Sequence, residues 1–242
     1  MNSMKILYLV PGSTGPGFDE EEIERRKKIL QEMAAEGVTV EAGASGIGPL
    51  SIESMYDEYA VIPGSIDAVI QAEKTGFDGV IMGCAGDPGV DGAREAVSIP
   101  VVGPAQASFA LASILGRRFS VISPVDETVG SAEDLVRKYG FTAQLASVRS
   151  AGITVLGINE DPELAAKRTL EEALKAKTED GADCIVLGCM SLAFAQFDRK
   201  ASELTGIPVV NPAFAALKLL EAQISMGLSH SKKAYPTPLS LR

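Results

Sequence analysis

The sequence predicts an α/β fold made of two similar lobes, each a parallel sheet flanked by helices. Two segments support this prediction, because Gly76–Asp87 (GFDGVIMGCAGD) and Gly181–Ala193 (GADCIVLGCMSLA) share one pattern. In each, a cysteine follows an apolar run and stands eight residues after the first glycine. An IPVV strand comes after each segment, and such self-similarity indicates two copies of one supersecondary unit. We therefore expect lobes related by pseudo-twofold symmetry, with the functional site in the cleft between them.

Short apolar runs of strand type recur along the whole chain. Such runs are typical of strands that are buried on both faces of a parallel sheet. We predict strands at Lys5–Val10, Val38–Ala42, Val80–Gly83, Val101–Gly103, Phe119–Ile122, Gln144–Val148, Cys184–Leu187 and Pro208–Val210. Their alternation with helices predicts parallel sheets with helices on both faces.

Helix boundaries are predicted from capping residues, prolines and glycines. Asp19 is expected to cap the first helix, and Asp87-Pro88 and Asp161-Pro162 combine an acidic cap with proline in the first turn. Pro63-Gly64 is expected to separate two helices. We predict helices at Asp19–Glu36, Ser54–Ala60, Ser65–Thr75, after Asp87-Pro88, Ala105–Leu115, Ser131–Tyr139, Asp161–Lys177, after Ser191 as cap, and from Asn211-Pro212 to about Met226. The remainder, His230–Arg242, is predicted to be an extended tail.

The domain boundaries follow from the repeat. Phe119–Ile122 with Ser123-Pro124 corresponds in role to the N-terminal strand and its loop, so the second lobe begins shortly before it. We expect the C-terminal helix to pack back on the first lobe. The prediction is a discontinuous first lobe, residues 1–102 plus 211–242, and a second lobe, residues 103–210.

Composition excludes several classes of partner. Hydrophobic residues make up 46% and charged residues 22% of the chain, which is ordinary for a globular enzyme. A net charge of −10 disfavours nucleic acid and anionic membranes. No apolar run approaches the roughly 20 residues that span a bilayer, and no cleavable signal is evident. Three cysteines in such a chain predict free thiols and a cytoplasmic location. The basic run Arg25–Lys28 is interpreted as a solvated helix face.

The histidine content narrows the chemistry further. The only histidine, His230, lies in the predicted tail, which argues against Ser-His-Asp or Cys-His catalysis and against a histidine-rich zinc site. Acid–base chemistry near neutral pH must then use thiols, carboxylates, lysines or tyrosines.

Cys84 and Cys189 are the candidate catalytic pair. Each follows a predicted strand at the edge where α/β sheets bind ligands, and each precedes a predicted helix N-terminus that favours a thiolate. Two thiols facing each other across a cleft could invert one stereocentre: one removes a proton and the other returns it to the opposite face. That reaction needs no cofactor and no metal. The alternative is that both are small buried hydrophobes, the role expected for Cys184.

A planar carbanion intermediate needs hydrogen-bond donors for its negative charge. Hydroxyl groups in the strand-end loops and the backbone amides after each cysteine can supply them, and the glycine-rich loop Gly43–Glu53 follows another strand end. The predicted substrate-binding residues are Ser13, Thr14, Gly48, Ala85, Gly86, Ser123, Met190 and Ser191.

These motifs resemble the Asp/Glu racemase superfamily. GCAGDPG, with GPLSIES (Gly48–Ser54), SVR (Ser147–Arg149) and the IPVV strands, is similar to the hydantoin racemase branch, which includes allantoin racemases. The resemblance covers nearly the whole chain. It implies cofactor-independent two-base racemisation at C5 of a 5-monosubstituted hydantoin, a cyclic ureide, with Cys84 and Cys189 as the catalytic pair. It also implies a homo-oligomer.

Departures from the superfamily patterns narrow the substrate. Amino-acid racemases usually carry Asn-Thr after the first cysteine and Thr-His or Thr-Glu after the second, where this chain has Ala85-Gly86 and Met190-Ser191. Arylmalonate decarboxylases keep only the second cysteine, so the presence of Cys84 argues against decarboxylation. Hydantoin racemases often have a bulky aromatic at the position of Ala85, so the methyl group here predicts a larger pocket or a different preferred 5-substituent. The N-terminal loop, Pro11–Thr14, also replaces the family's common Asn-rich version.

Three functions remain open at this point. The first is a hydantoin or allantoin racemase. The second is another reaction on the same cysteine pair, an amino-acid racemase or a maleate-type isomerase in which one thiol attacks a double bond. The third is a non-catalytic small-molecule binding protein built on the same two lobes.

Overall fold

The structure is a computed structural model that describes residues 3–242 of the chain. In that range, two four-stranded parallel sheets share one strand order, β2-β1-β3-β4 and β6-β5-β7-β8. The strands are β1 (Met4–Val10), β2 (Val38–Ala44), β3 (Gly79–Met82), β4 (Val101–Val102), β5 (Phe119–Ser123), β6 (Leu145–Ser150), β7 (Cys184–Leu187) and β8 (Val209–Val210). The predicted α/β fold of two similar lobes is confirmed.

Ten α-helices accompany these strands in the described range, and none is long and apolar enough to cross a bilayer. They are α1 (Glu20–Met33), α2 (Met55–Lys74), α3 (Val90–Ala96), α4 (Pro104–Leu115), α5 (Val129–Lys138), α6 (Val155–Glu160), α7 (Pro162–Glu179), α8 (Met190–Phe194), α9 (Asp198–Thr205) and α10 (Pro212–Ser225). Asp19, Asp161 and Asn211 cap α1, α7 and α10 as predicted. The sequence patterns did not predict α6 and α9.

The two helices predicted on either side of Pro63 are one helix, α2. Pro63 lacks an N–H donor, and an interior proline usually breaks a helix. Here the segments before and after it share one buried face that includes Val61, Val69 and Ala72. Continuous packing of that face against the sheet outweighs the local penalty.

The helix that follows the last strand of each sheet packs on the other sheet, so the two helices are exchanged between the lobes. α4 follows β4 of the first sheet but contacts β7 and β8 of the second. α10 follows β8 of the second sheet but contacts β3 and β4 of the first, where Leu220 packs against Gly79. The two helices also pack on each other. The domain boundary at residues 102/103 and 210/211 stays a prediction, and these contacts are what supports it.

The C-terminal segment packs on the first lobe and is not the extended tail that was predicted. The Val101 N–H donates to His230 Nε2 at 2.8 Å. Lys232 Nζ donates to the carbonyls of Arg94, Glu95 and Val97 at the end of α3. At the equivalent position in the second sheet, the Val209 N–H donates to Ser202 Oγ at 2.8 Å. Side chains thus satisfy the same edge amide in both lobes.

Candidate active site

A cavity of about 440 Å³ lies between the lobes and is lined by both Gly-Cys turns. Hydrogen bonds between the lobes surround it. The Val155 N–H donates to Glu53 Oε1 at 2.8 Å, and Asn159 Nδ2 donates to the Gly17 carbonyl at 3.0 Å. Tyr139 Oη donates to Asp87 Oδ2 at 2.9 Å. The cavity walls are therefore held at a defined separation.

The position of each cysteine is fixed by the preceding glycine, which approaches the backbone of the neighbouring strand closely. The Gly83 N–H donates to the Leu9 carbonyl at 2.7 Å, and the Gly188 N–H donates to the Ile122 carbonyl at 2.8 Å. A Cβ atom on Gly83 would lie 2.7 Å from the Leu9 oxygen, and one on Gly188 would lie 2.9 Å from the Ile122 oxygen. Only glycine permits this close approach, which explains the repeated Gly-Cys pair.

Cys84 lies in an environment that disfavours its thiolate. Burial raises the pKa of the Cys84 thiol well above its usual range. The Gly86 N–H donates to Cys84 Sγ at 3.4 Å and opposes that shift, whereas Glu58, Cys189 and Asp87 add to it. Cys84 is therefore held as the protonated thiol at neutral pH.

Cys189 is the residue immediately before α8, and its surroundings are more favourable to a negative charge. Burial raises the pKa of its thiol as well. The backbone N–H groups of Leu192 and Ser191 and the guanidinium of Arg26 act in the opposite direction, whereas the charge of Glu53 adds to the effect of burial. The N-terminus of α8 lowers the pKa of Cys189 as expected, but burial is the larger effect on both thiols and leaves both pKa values raised.

The predicted helix cap at Asp87 is also wrong. The helix after Cys84 begins at Val90 with Gly89 as its cap, five residues beyond the thiol. Asp87 is buried and accepts hydrogen bonds from the Ala105 and Gln106 amides at 2.9 and 3.0 Å, so it caps α4. Ser191, likewise predicted as a cap, lies inside α8 and is buried.

A buried guanidinium lines the cavity beside Cys189. Arg26 is only 2% exposed, so the interpretation of its basic run as a solvated face is wrong for this residue. Its Nε donates to Glu22 Oε1 at 2.7 Å and its Nη2 donates to Ser191 Oγ at 2.9 Å. The guanidinium also lies over the rings of Phe18 and Phe194. Arg26 thus connects α1 of the first lobe to the turn that carries Cys189.

The structure brings most of the predicted site residues together. The cavity is lined by Cys84, Ala85, Gly86, Ser123, Cys189, Met190 and Ser191. No residue in the described range pairs with the Ser123 hydroxyl, although the side chain is buried. Cys184 lies inside β7, fully buried, and burial raises the pKa of its thiol to about 12.

Ser13, Thr14 and Gly48 lie away from the cavity lining. The Ser13 hydroxyl donates to the Gly48 carbonyl at 2.7 Å, so these two residues hold their loops against each other. Thr14 is exposed. The following residues, Leu50–Ile52, line the cavity in their place.

Sequence reasoning did not single out Arg26 or Glu58, which both line the cavity. A signal for Arg26 was present, because Ile23, Arg26 and Leu30 share the helical spacing of one buried face. Glu58 gave no comparable signal. Within residues 3–242, no group of three or more His, Cys, Asp or Glu side chains is placed to hold a metal ion.

Comparison with known proteins agrees with this geometry. Residues 20–220 match the model of the Asp/Glu/Hydantoin racemase family. A hydantoin racemase from Rhizobium meliloti is 40% identical over 191 residues, 78% of this chain and 78% of that protein. One from Paenarthrobacter aurescens is 34% identical over 238 residues, 97% of this chain and 98% of that protein. An allantoin racemase structure from Pseudomonas fluorescens has a TM-score of 0.90 at 32% identity, covering 98% of this chain and 97% of that one.

A cavity shared by two similar α/β lobes, together with these matches, defines an enzyme of the racemase and isomerase class that acts on small molecules. The chain belongs to the Asp/Glu/hydantoin racemase family, which confirms the resemblance stated above.

Proposed function

We propose that the chain racemises 5-monosubstituted hydantoins, allantoin among them, by cofactor-independent proton transfer between C5 and two cysteines. The observation that carries this proposal is the placement of Cys84 and Cys189 at equivalent strand ends on one cavity. The substrate class is supported by the hydantoin racemases and the allantoin racemase that the chain is similar to.

The proposed step begins with a thiolate that removes the proton from C5. The electron pair of the broken C–H bond moves onto the adjacent ring carbonyl and gives a planar enolate. The opposite thiol then donates its proton to the other face of C5, which leaves that cysteine as the thiolate. In this proposal the hydroxyls of Ser123 and Ser191, which line the cavity, stabilise the enolate oxygen. Ser191 Oγ accepts from Arg26, so its own proton remains available to the substrate.

The charges around the two thiols suggest how protons are distributed before the reaction. Arg26 and two backbone N–H groups favour a thiolate at Cys189, whereas Glu58 and Asp87 disfavour one at Cys84. In the proposed resting enzyme, Cys189 is the base and Cys84 is the acid. The enantiomer whose C5 proton faces Cys189 then reacts directly, and the other enantiomer needs prior proton exchange between the thiols and water.

Ala85, Gly86, Ser123, Met190 and Ser191 are the proposed substrate-binding residues, since all line the cavity with the thiols. The homo-oligomer and the cytoplasmic location that were predicted from the sequence stay predictions.

The test is incubation of single enantiomers of allantoin and of 5-alkyl and 5-benzyl hydantoins with the enzyme in D₂O. We expect loss of optical activity and uptake of deuterium at C5, both faster than the spontaneous reaction. Absence of catalysed exchange from folded protein with titratable thiols would contradict the proposal. A cysteine mass shift during turnover of maleate would favour the isomerase alternative, and ligand binding without any exchange would favour the binding protein.

A further inference from the structure

One acidic side chain in the cavity neither gives nor takes a proton in the transfer proposed above, although its charge raises the pKa of the Cys84 thiol. Glu58 lies on the face of α2 that also carries Met55, Tyr59 and Ile62, and all four line the cavity. Their positions, three, four and seven residues after Met55, are those of one helix face. The carboxylate therefore forms part of the α2 wall, facing the space that the Gly-Cys turns enclose.

The Glu58 carboxylate is half-buried and lacks a protein partner. No side chain or amide among residues 3–242 donates a hydrogen bond to it or forms an ion pair with it within 4 Å. The charged residues of α5 that line the cavity are already engaged: Lys138 Nζ lies 2.8 Å from Asp91 Oδ2, and Asp134 pairs with Arg137. A bound ligand that covers this carboxylate removes its water and must supply a donor in place of that water, so a ligand with such a donor binds more favourably than one without it.

The carboxylate lies next to the reacting centre. A methyl group on Gly86 would lie 3.2 Å from Glu58 Oε2 and 3.6 Å from Cys84 Sγ, so one small group spans the space between them. Ala85 and Gly86 leave that space open. A substituent on the carbon that Cys84 protonates is therefore within reach of Glu58.

We propose that Glu58 accepts a hydrogen bond from an N–H group on the substrate's 5-substituent. The enzyme then selects hydantoins with an amide or urea group on that substituent, as in the ureido group of allantoin, over 5-alkyl and 5-benzyl hydantoins. This proposal rests on the proposed function. A site that accepts a substrate N–H discriminates against analogues that lack it, because the acceptor that the bound analogue covers is then left unpaired.

The test compares kcat/KM for allantoin, 5-isobutylhydantoin, 5-benzylhydantoin and 5-(3-aminopropyl)hydantoin in the wild type, Glu58→Gln and Glu58→Leu. We expect Glu58→Leu, which removes the acceptor, to lower kcat/KM for allantoin by roughly 10- to 100-fold, the range for a hydrogen bond to a charged group. Glu58→Gln keeps a neutral acceptor oxygen and should lower it by only about threefold to tenfold. The kcat/KM values for the alkyl and benzyl substrates should not fall with that for allantoin, because they report only the effect of the lost charge on the Cys84 thiol. Glu58→Leu should raise them severalfold, which a misfolded variant cannot do. Asp67→Asn removes the same charge from the exposed side of α2 and should change none of these values.

Each other outcome overturns the proposal in a recognisable way. Equal losses on all four substrates would mean that Glu58 binds a ring N–H or only supports the fold. A loss of kcat/KM confined to the aminopropyl substrate would mean that Glu58 binds a cationic substituent and not the N–H donor of a urea group. In both cases the wild type still racemises hydantoins, so the proposed function stands. Absence of racemisation by the wild type overturns both proposals.

Discussion

The two Gly-Cys turns share one backbone arrangement but carry different side chains. In both, a glycine N–H donates to the carbonyl of the first strand of its sheet, and the cysteine comes next. The residue after that carbonyl lines the cavity in both lobes, yet it is Val10 in the first and Ser123 in the second. The first half of the site therefore lacks the hydroxyl that the second half supplies.

The charges differ in the same sense. Arg26 lies beside Cys189, whereas Glu58 and Asp87 lie beside Cys84. Because the backbone is repeated and the charges are not, we propose that the shared backbone positions the two thiols and that the different charges decide which thiol holds the proton. The predictions that follow test this difference, beginning with the largest expected effect.

Removal of either cavity thiol should abolish racemisation. Cys84→Ser and Cys189→Ser should each lower kcat by about 10³-fold or more, since a positioned acid or base contributes about 10²- to 10⁴-fold and neither can be spared. Each variant should still catalyse exchange of the C5 proton of one enantiomer in D₂O. The enantiomer that Cys84→Ser exchanges should be the opposite of the one that Cys189→Ser exchanges. Polarimetry with NMR detection of deuterium measures both properties.

Cys184→Ser is the matched control, because this thiol lies inside β7 away from the cavity. It should keep near wild-type turnover. If both cavity variants exchanged the C5 proton of the same enantiomer, or if Cys84→Ser racemised at a near wild-type rate, the two thiols would not act on opposite faces of C5.

Removal of the Arg26 charge should move the pH dependence of the reaction. Both thiol pKa values are raised, so thiolate forms only as the pH rises, and kcat/KM of the wild type should increase from neutral to alkaline pH. Arg26 lowers the pKa of Cys189, so Arg26→Met should shift this rise to higher pH. A shift of one pH unit corresponds to about tenfold lower kcat/KM at pH 7.

Arg26→Lys keeps the charge and should keep the pH profile close to that of the wild type. A loss of kcat/KM in Arg26→Met by the same factor at every pH would indicate a purely structural role for the guanidinium.

The caps of the exchanged helices α4 and α10 offer a comparison of stability. Asn211 caps α10 with its own side chain, which accepts from the Ala213 and Phe214 amides. Residue 103, the cap position of α4, is a glycine, and Asp87 supplies the oxygens from another turn. Asp87→Ala should lower the free energy of unfolding by about 2–3 kcal/mol and Asn211→Ala by about 1–2 kcal/mol, because Asp87→Ala also leaves the Tyr139 hydroxyl unpaired. Urea denaturation measures both, and a loss below about 0.5 kcal/mol for Asp87→Ala would contradict this account.

The smallest expected effect is on stability and its pH dependence, when the side chains that accept from the edge amides of β4 and β8 are removed. Burial, with Arg94 nearby, lowers the pKa of His230 from 6.5 to about 4. Between these values the unfolded chain binds a proton that the folded protein does not, so stability should fall as the pH drops from 6.5 to 4. His230→Ala should cost about 1 kcal/mol at pH 7 and should weaken this pH dependence.

Ser202→Ala breaks the equivalent hydrogen bond in the second sheet with a group that does not titrate. It should cost a similar free energy and leave the pH dependence unchanged. Thermal unfolding between pH 4 and 7 measures both variants, and an unaltered pH dependence in His230→Ala would assign the effect to other groups.

The repeat in the sequence predicted most of the fold and the cysteine positions, because strand ends and Gly-Cys turns depend on local spacing. Cys184–Leu187 has the predicted bounds, and the N-caps at Asp19, Asp161 and Asn211 are confirmed. These features depend on residues close together in the chain.

The features that sequence reasoning missed depend on distant residues. Asp87 caps a helix 17 positions away because the lobe folds back on it, and Arg26 is buried because α8 of the other lobe covers it. The thiol pKa values depend on a balance between burial and several charges, and a local helix N-terminus is only one part of it. The pKa of each thiol can therefore be assessed only from the assembled structure of the two lobes.

The exchange of α4 and α10 has a consequence for synthesis on the ribosome. The second sheet receives its covering helix before its own strands are made, so this lobe can fold from one continuous stretch. The first sheet is translated earlier, but the part of its apolar face at β3 and β4 stays uncovered until α10, which follows all eight strands in the chain, has emerged. We expect the nascent first lobe to depend on chaperones through most of translation, and premature termination before α10 to yield an aggregation-prone product.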